Sequence, residues 1–238
     1  MPIMLTINPT DLAPPANATD HQAGLCFAPC PQALGLYAVL PTAEWVGRMA
    51  RAGVPTVQLR FKSTDPQAIA QEVRAAVQAV QGTNSRLFIN DYWQLAVEAG
   101  AYGAHLGQED LDTLTEQDVA TLRQSGLRLG ISTHTDAELV RAAALRPSYI
   151  ALGAVFPTTL KAMPTAPLGL ERLAGYAQLL QGYSTVAIGG IGAEHLRDIA
   201  ATGVGSFAVV RAIVAAPNPE AAAQELMAQW HAAKNQRP

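Results

Sequence analysis

Short apolar runs alternate with longer amphipathic segments from Gly35 onward, and this alternation constrains the fold more than any other feature of the sequence. Short apolar runs bounded by polar residues are typical of buried parallel strands, and amphipathic segments between them are typical of crossover helices. The predicted strands are 36–39, 56–59, 87–89, 104–106, 127–131, 149–152, 185–188 and 206–209. The predicted helices are 43–52, 66–80, 92–99, 116–124, 136–145, 170–180, 193–201 and 219–233.

Eight strands and eight helices in strict alternation predict an α/β fold of the (β/α)₈ type, the TIM barrel. The length of 238 residues suits one such domain, which we expect over residues 34–238. An open, doubly wound sheet is the alternative that counting leaves open. Its dinucleotide-binding form is weakened because no G-x-G-x-x-G turn follows the first strand.

Residues 1–33 differ from the rest because they contain six prolines and little periodicity. They predict an irregular leader that lies over the surface or is mobile. Cys26 and Cys30 are the only cysteines, and no second pair offers the remaining ligands of a zinc site, so we interpret both as incidental.

The charge balance excludes two classes of partner. A formal charge of −3 with 15% charged residues and no Lys/Arg cluster argues against nucleic acid and against a membrane surface. The apolar run 150–156 is far shorter than the roughly 20 residues that span a bilayer. The first basic residue is Arg48, so no signal or transit peptide is indicated, and we expect a cytoplasmic location.

The active site of a (β/α)₈ barrel lies at the carboxyl ends of its strands, so the residues that follow each apolar run are the candidates. They are polar in this sequence. The second strand ends in Gln58, Arg60 and Lys62, the third in Asn90 and Asp91, and the fourth leads to Asp110; later come Ser132, Thr133, His134, Lys161, Gly189 and Gly190.

Two carboxylates follow neighbouring strands, since Asp91 comes after the third and Asp110 after the fourth. Because adjacent parallel strands lie roughly 4.8 Å apart, both can reach one hard cation. Oxygen ligands with room for water and phosphate suit Mg²⁺ better than zinc. The alternative is structural, because Asp91 stands where a helix N-cap would stand.

Three cations at the same predicted rim indicate an anionic substrate. The positive charge here exceeds the negative charge, because the two aspartates do not balance Arg60, Lys62, Lys161 and one divalent ion. The excess suits a pyrophosphate leaving group. Gly189 and Gly190 follow strand seven, where barrels often hold a phosphate on backbone N–H groups. The alternatives are a rim charge pair for Arg60 and Lys62 and a tight turn for the glycines.

Seven stretches in combination resemble the thiamine-phosphate synthase family, also called thiamine-phosphate pyrophosphorylase: VQLRFK, LFINDYWQLA, YGAHLGQEDL, LGISTHT, YIALGAVFPTTLKAMPTAPLGLE, VAIGGI and GVGSFAVV. The likeness runs from about Gly35 to Ile213. It implies a (β/α)₈ transferase of thiamine biosynthesis that requires Mg²⁺. Such an enzyme couples 4-amino-2-methyl-5-hydroxymethylpyrimidine diphosphate with hydroxyethylthiazole phosphate and releases pyrophosphate by a dissociative substitution, without a covalent nucleophile.

The resemblance also implies a role for individual positions. It makes Asp91 and Asp110 the metal ligands, and it gives the catalytic work to Arg60, Lys62, Ser132 and Lys161. The pyrimidine diphosphate would contact Gln58, Leu59, Arg60, Phe61, Lys62, Asn90, Ser132 and Lys161. The thiazole phosphate would contact Thr158, Thr159, Leu160, Gly189, Gly190, Val210 and Arg211.

Three positions depart from the family pattern. Phe61 stands where an acidic residue is frequent, and strand alternation would point it away from the site. Leu160 replaces a threonine, so one hydroxyl donor to the thiazole phosphate is missing. Arg211 replaces a serine, and we hypothesise that its charged donor offsets that loss. Alternatively, Arg211 turns into solvent.

Two other functions are alternatives to this one. A thiazole tautomerase-like relative would keep the barrel without coupling, and His134 could then shuttle a proton. For His134 and His105 alike, a hydrogen-bonding scaffold role is the simpler interpretation. The second is a non-catalytic protein that binds thiamine phosphate, although no signalling module is visible in the sequence. A homo-oligomer is possible.

Overall fold

Eight parallel strands close into a barrel in sequence order, β1 to β8, with β8 pairing back onto β1. The structure, a computed structural model, describes residues 7–13, 18–158 and 166–236. The strands are Leu36–Leu40, Thr56–Leu59, Arg86–Asn90, Gly103–Leu106, Arg128–Thr133, Tyr149–Gly153, Thr185–Ile188 and Ser206–Val209. The predicted (β/α)₈ fold is therefore confirmed, and each predicted strand lies within two residues of an observed one.

Helices follow the strands and form the outer layer. The longer ones are Ala43–Arg51, Pro66–Ala79, Trp93–Ala99, Glu116–Gln124, Asp136–Ala144, Gly169–Leu179, Leu196–Ala201 and Pro219–Asn235. The predicted helix 193–201 begins as a 3₁₀ turn, Ala193–His195. Three short helices were not predicted: Gln108–Leu111 and Arg211–Val214, which begin just after a strand, and Ala18–Gln22, which lies in the segment predicted to be irregular.

Side-chain caps fix where several helices begin. The Thr42 hydroxyl accepts a hydrogen bond from the backbone N–H of Trp45. The carboxylate of Asp65, which precedes Pro66, accepts one from the backbone N–H of Gln67. Such caps satisfy backbone donors that have no partner inside the helix. The helices after β1 and β2 therefore begin at defined residues.

Strand alternation divides the core into two compartments. Outward residues such as Leu59, Ile89 and Ile150 pack against the helices in one large apolar cluster. Inward residues form a second cluster inside the barrel, built around Tyr37 and Tyr149. No helix in the described part of the chain is both long and apolar enough to cross a membrane.

Aromatic rings fill the lower part of the barrel interior. Tyr37, Phe88 and Tyr149 contact one another with ring centroids 5.1 to 5.8 Å apart. Two glycines make room for them. A Cβ at Gly103 would lie 2.4 Å from the Phe88 ring, and one at Gly130 would lie 2.0 Å from the Tyr149 ring. These rings therefore fill the barrel interior below the site.

The described residues before β1 include a 3₁₀ turn, Pro9–Asp11, and a short helix, Ala18–Gln22. The last of them contact the amino ends of the strands, opposite the expected site. The carbonyl of Ala28 accepts from the Ser148 hydroxyl, and that of Pro31 accepts from Ser184. Neither cysteine forms a disulfide within the described residues, and burial raises the pKa of the Cys30 thiol to about 12. The domain boundary expected near residue 33 stays a prediction.

Candidate active site

A cavity of about 710 Å³ opens at the carboxyl ends of the strands. Its walls contain polar side chains from the ends of β2 to β5 and backbone from the turns after β6, β7 and β8. The predicted site residues that line it are Gln58, Arg60, Lys62, Asn90, Asp91, Asp110, Ser132, Thr158, Gly189, Gly190, Val210 and Arg211. Residues distant in sequence thus meet at one rim, as the barrel prediction requires.

Asp91 and Asp110 lie side by side on the cavity wall. Partial burial and the neighbouring Asp91 carboxylate raise the pKa of Asp110, although the Gly107 N–H, 2.7 Å from Asp110 Oδ2, opposes this. Asp91 has a φ of +65°, a left-handed conformation that few residues other than glycine adopt. Such local strain is frequently stored at functional sites.

Helix capping was the structural alternative to metal binding for the aspartates. Asp110 has this role, and Asp91 does not. Asp110 caps the short helix Gln108–Leu111 by accepting from Gly107. Asp91 does not occupy an N-cap position, because the helix Trp93–Ala99 has Tyr92 there without a side-chain cap. The carboxylate of Asp91 is therefore left to the cavity, where it contacts the Lys62 ammonium.

The donor set of this acid pair fits a magnesium ion. Two adjacent carboxylates provide hard oxygen ligands, and repulsion between them is relieved when a cation binds. Among the described residues, no group of three or more His, Cys, Asp or Glu side chains forms a metal cluster. A two-carboxylate site of this kind leaves the other positions to water and substrate phosphate, as Mg²⁺ binding usually does.

The stretch from Gln58 to Lys62 alternates between the cavity and the core. Gln58, Arg60 and Lys62 line the cavity. Leu59 is buried between strands and helices, and Phe61 packs against the same apolar cluster. The orientation expected for Phe61 is thus observed, and neither Leu59 nor Phe61 presents its side chain among the lining residues.

Five polar side chains at and beneath the floor of the cavity are joined by hydrogen bonds. Gln58 Nε2 donates to the Tyr37 hydroxyl at 3.0 Å, and that hydroxyl lies 2.7 Å from the Tyr149 hydroxyl. His105 bridges the Tyr149 hydroxyl, 2.6 Å from Nδ1, and the Ser132 hydroxyl, 2.7 Å from Nε2. Burial lowers the pKa of His105 to about 4, although the Asp91 carboxylate opposes this shift. The imidazole is therefore neutral at pH 7.

The turn after β7 places backbone at the opposite wall. Gly189 and Gly190 have φ values of +98° and +68°, so each uses a conformation that favours glycine. A Cβ on Gly190 would lie 2.6 Å from the Pro157 carbonyl oxygen, because the turn packs directly against the loop after β6. The tight-turn interpretation is correct, and the turn also faces the cavity.

The thiazole-phosphate residues lie around this same turn. Val210 directly follows the last strand and Arg211 begins the helix Arg211–Val214; both line the cavity, although Arg211 is exposed. Thr158 also lines it. Thr159, Leu160 and Lys161 lie outside the described residues, so their expected roles stay predictions.

Several cavity residues were not predicted as ligands. Glu109, His134 and Glu194 line the cavity, and His134 is held by Glu138, with 2.8 Å between Nδ1 and Oε2. Tyr37 and Tyr149 lie beneath the floor and were missed entirely. Their signal in the sequence is a tyrosine at an inward strand position, opposite a glycine on the neighbouring strand in the case of Tyr149 and Gly130.

Comparisons with known proteins agree with this geometry. The family model described as thiamine monophosphate synthase matches residues 36–213. A thiamine-phosphate synthase of Neisseria meningitidis serogroup B is 52% identical over 206 residues, which are 87% of this chain and 99% of that protein. One from Klebsiella pneumoniae is 53% identical over 202 residues, 85% of this chain and 94% of that protein.

A solved structure shows the same fold. The thiamine phosphate pyrophosphorylase from Pyrococcus furiosus superposes with a TM-score of 0.72 at 26% identity, covering 84% of this chain and 96% of that one. A 3-hexulose-6-phosphate synthase superposes with a TM-score of 0.57 at 19% identity, which supports the barrel fold alone.

Proposed function

The chain belongs to the thiamine monophosphate synthase family and is a transferase that forms thiamine phosphate, and we propose that it does so by Mg²⁺-assisted departure of pyrophosphate at the barrel mouth. The substrates proposed are the pyrimidine diphosphate and the thiazole phosphate that the sequence suggests. The protein thus acts on small phosphorylated molecules. A homo-oligomeric state and a cytoplasmic location stay predictions.

One observation carries the mechanism: a pair of carboxylates, a cluster of cations and a glycine turn face one cavity. Asp91 and Asp110 lie on the wall formed by β3 and β4, whereas Gly189 and Gly190 lie on the wall formed by β7. The first group suits a metal-bound diphosphate and the second suits a separate phosphate. Two phosphorylated substrates can therefore bind at once, with the reacting carbon of one and the reacting nitrogen of the other between the two phosphate sites.

The side chains near the acid pair would stabilise the leaving group. Arg60 and Lys62 extend from β2 over the same wall, where their positive charges oppose the charge that develops on pyrophosphate. Lys62, which contacts Asp91, would move from this carboxylate to a phosphate oxygen when substrate binds. Bound Mg²⁺ would act as a Lewis acid that neutralises the diphosphate oxygens.

The remaining walls would position the two organic rings. Gln58 and Ser132 present polar groups at the floor for the aminopyrimidine, beside the apolar side chains of Val39 and Ile188. Departure of pyrophosphate leaves a cation that this electron-rich ring stabilises, and the thiazole nitrogen then forms the new bond. No covalent protein intermediate is required, because binding and electrostatic stabilisation supply the rate enhancement.

A pyrophosphate-release assay tests the proposed function. We expect release only when the pyrimidine diphosphate, the thiazole phosphate and Mg²⁺ are all present, with thiamine phosphate formed in equal amount. Release that does not depend on the thiazole phosphate would contradict coupling. Binding of thiamine phosphate without any turnover would instead support the non-catalytic alternative.

Arg211→Ser is expected to raise the KM for thiazole phosphate by about tenfold, since a hydrogen bond from a charged donor is among the stronger ones. The KM for the pyrimidine diphosphate should not change, because the two ends of the cavity bind different phosphates. Initial rates measured against each substrate in turn give both constants.

Arg197→Ser is the matched control for this substitution. Arg197 is also an exposed arginine near the carboxyl ends of the strands, but it lies on the helix Leu196–Ala201 and does not line the cavity. Arg197→Ser should leave the KM for each of the two substrates unchanged. If Arg211→Ser behaves like this control, Arg211 does not compensate for Leu160.

A further inference from the structure

Five polar side chains form an unbroken hydrogen-bonded chain across the barrel interior. It runs from Gln58 on β2 through Tyr37 on β1, Tyr149 on β6 and His105 on β4 to Ser132 on β5. The four contacts measure 3.0, 2.7, 2.6 and 2.7 Å between heavy atoms in that order. Side chains from five different strands are thereby joined into one relay.

The three middle members of this relay are shielded from water. Tyr37 is 2% exposed, Tyr149 0% and His105 6%. A buried polar group that loses its partner is costly, so each of these hydroxyl and imidazole groups depends on its neighbours in the chain. The space for the central ring exists only because residue 130 is glycine, since a Cβ there would lie 2.4 Å from the Tyr149 hydroxyl oxygen.

The chemistry of the members gives the relay a direction. In the described part of the chain, the Tyr37 hydroxyl contacts Gln58 Nε2, which can only donate, and the Tyr149 hydroxyl. Tyr37 must therefore donate its hydrogen to Tyr149. Tyr149 then donates to His105 Nδ1, and a neutral His105 carries its hydrogen on Nε2 and donates to Ser132 Oγ.

Both ends of the relay reach the cavity. Gln58 and Ser132 are among its lining residues, as is the largely buried His105, whereas Tyr37 and Tyr149 are not. With Gln58 Nε2 committed to Tyr37, the Oε1 of Gln58 remains as an acceptor. With the Ser132 oxygen accepting from His105, the Ser132 hydroxyl hydrogen remains as a donor. The floor thus offers one acceptor and one donor whose roles are set from below.

We propose that Tyr37, Tyr149 and His105 are positioning residues that fix Gln58 as an acceptor and Ser132 as a donor toward the pyrimidine diphosphate. An aminopyrimidine has an exocyclic amino group that donates and ring nitrogens that accept, so it matches this pair. The identity of the ligand rests on the proposed function, but the order of donors in the relay does not. Cooperative polarisation along the chain would strengthen both terminal contacts.

Tyr149→Phe tests the relay because it removes only the central hydroxyl. We expect kcat/KM for the pyrimidine diphosphate to fall about tenfold, as befits the loss of a buried hydrogen bond. The KM for the thiazole phosphate should remain unchanged. In a Ser132→Ala background the same substitution should cost less than about twofold, because the terminal contact is already lost.

Tyr102→Phe is the control, since Tyr102 contacts Phe88 in the same interior cluster but its hydroxyl is outside the relay. It should leave the kinetic constants unchanged. An equal loss from Tyr149→Phe with and without Ser132, or a loss shared by both substrates, would mean that Tyr149 acts only through general packing and would overturn the proposal.

The direction of the relay is measurable without any substrate. In ¹⁵N NMR spectra of the wild-type protein, His105 should show a protonated Nε2 and an unprotonated Nδ1. In Tyr149→Phe this preference should weaken, because Nδ1 has lost its donor. A wild-type His105 protonated on Nδ1 would reverse the donor order and refute the proposal, even if the enzyme forms thiamine phosphate as expected.

Discussion

Asp91→Asn is expected to lower turnover by about a hundredfold, the loss typical when one preorganised electrostatic contact in an active site is removed. The amide keeps the shape of the carboxylate but loses its negative charge, so Mg²⁺ binding weakens. Asparagine tolerates the φ of +65° as well as aspartate does, and the fold should be retained. Pyrophosphate release measured across a range of Mg²⁺ concentrations, with a thermal melt beside it, gives both answers.

Asp112→Asn is the matched control for the loss of one charge. Asp112 lies two residues beyond Asp110 but pairs with Arg141 at 2.8 Å on the exposed surface. Its substitution should change neither turnover nor the Mg²⁺ concentration needed for half-maximal rate. Full activity in Asp91→Asn would remove the metal from the mechanism and leave Arg60 and Lys62 as the stabilising charges.

Gly190→Ala is expected to lower kcat/KM for the thiazole phosphate by about a hundredfold, through displacement of the backbone proposed to hold that phosphate. The added Cβ would lie 2.6 Å from the Pro157 carbonyl oxygen and 2.8 Å from Phe156 Cβ. The turn after β7 and the loop after β6 must then separate. Because the φ is +68°, alanine is also strained there, and we expect about 1–3 kcal/mol of lost stability.

Gly100→Ala separates these two effects. Gly100 also has a positive φ, +69°, but a Cβ there would meet nothing within 4 Å. This variant should lose stability through backbone strain and keep both Michaelis constants. Kinetics for each substrate and thermal unfolding of both variants complete the comparison. An unchanged constant for the thiazole phosphate in Gly190→Ala would place that phosphate elsewhere.

The fold was predictable because its signal is local and repeated. Runs such as 56–59 and 185–188 carry the apolar character of buried parallel strands, and their observed bounds are the predicted ones. The short helices Gln108–Leu111 and Arg211–Val214 were missed because each has only four residues, too few to show the periodicity of an amphipathic helix.

The site was predictable at the rim but not beneath it. Asp91, Asp110 and Ser132 were found because polar residues directly after apolar runs mark the carboxyl ends of the strands. The relay was invisible because Tyr37 and Tyr149 are 112 residues apart and meet only when the barrel closes. A tyrosine in an apolar strand resembles ordinary core until its hydroxyl partner is known.

The strict in-and-out order of side chains on each strand restricts how such a protein can change over time. Gln58 and Arg60 face the cavity while Leu59 between them faces the helices. Inserting or deleting a single residue within β2 would exchange these two faces from that point on, so one event would damage both chemistry and stability. Insertions and deletions among homologues should therefore accumulate in the loops, and the strands should differ by substitution alone.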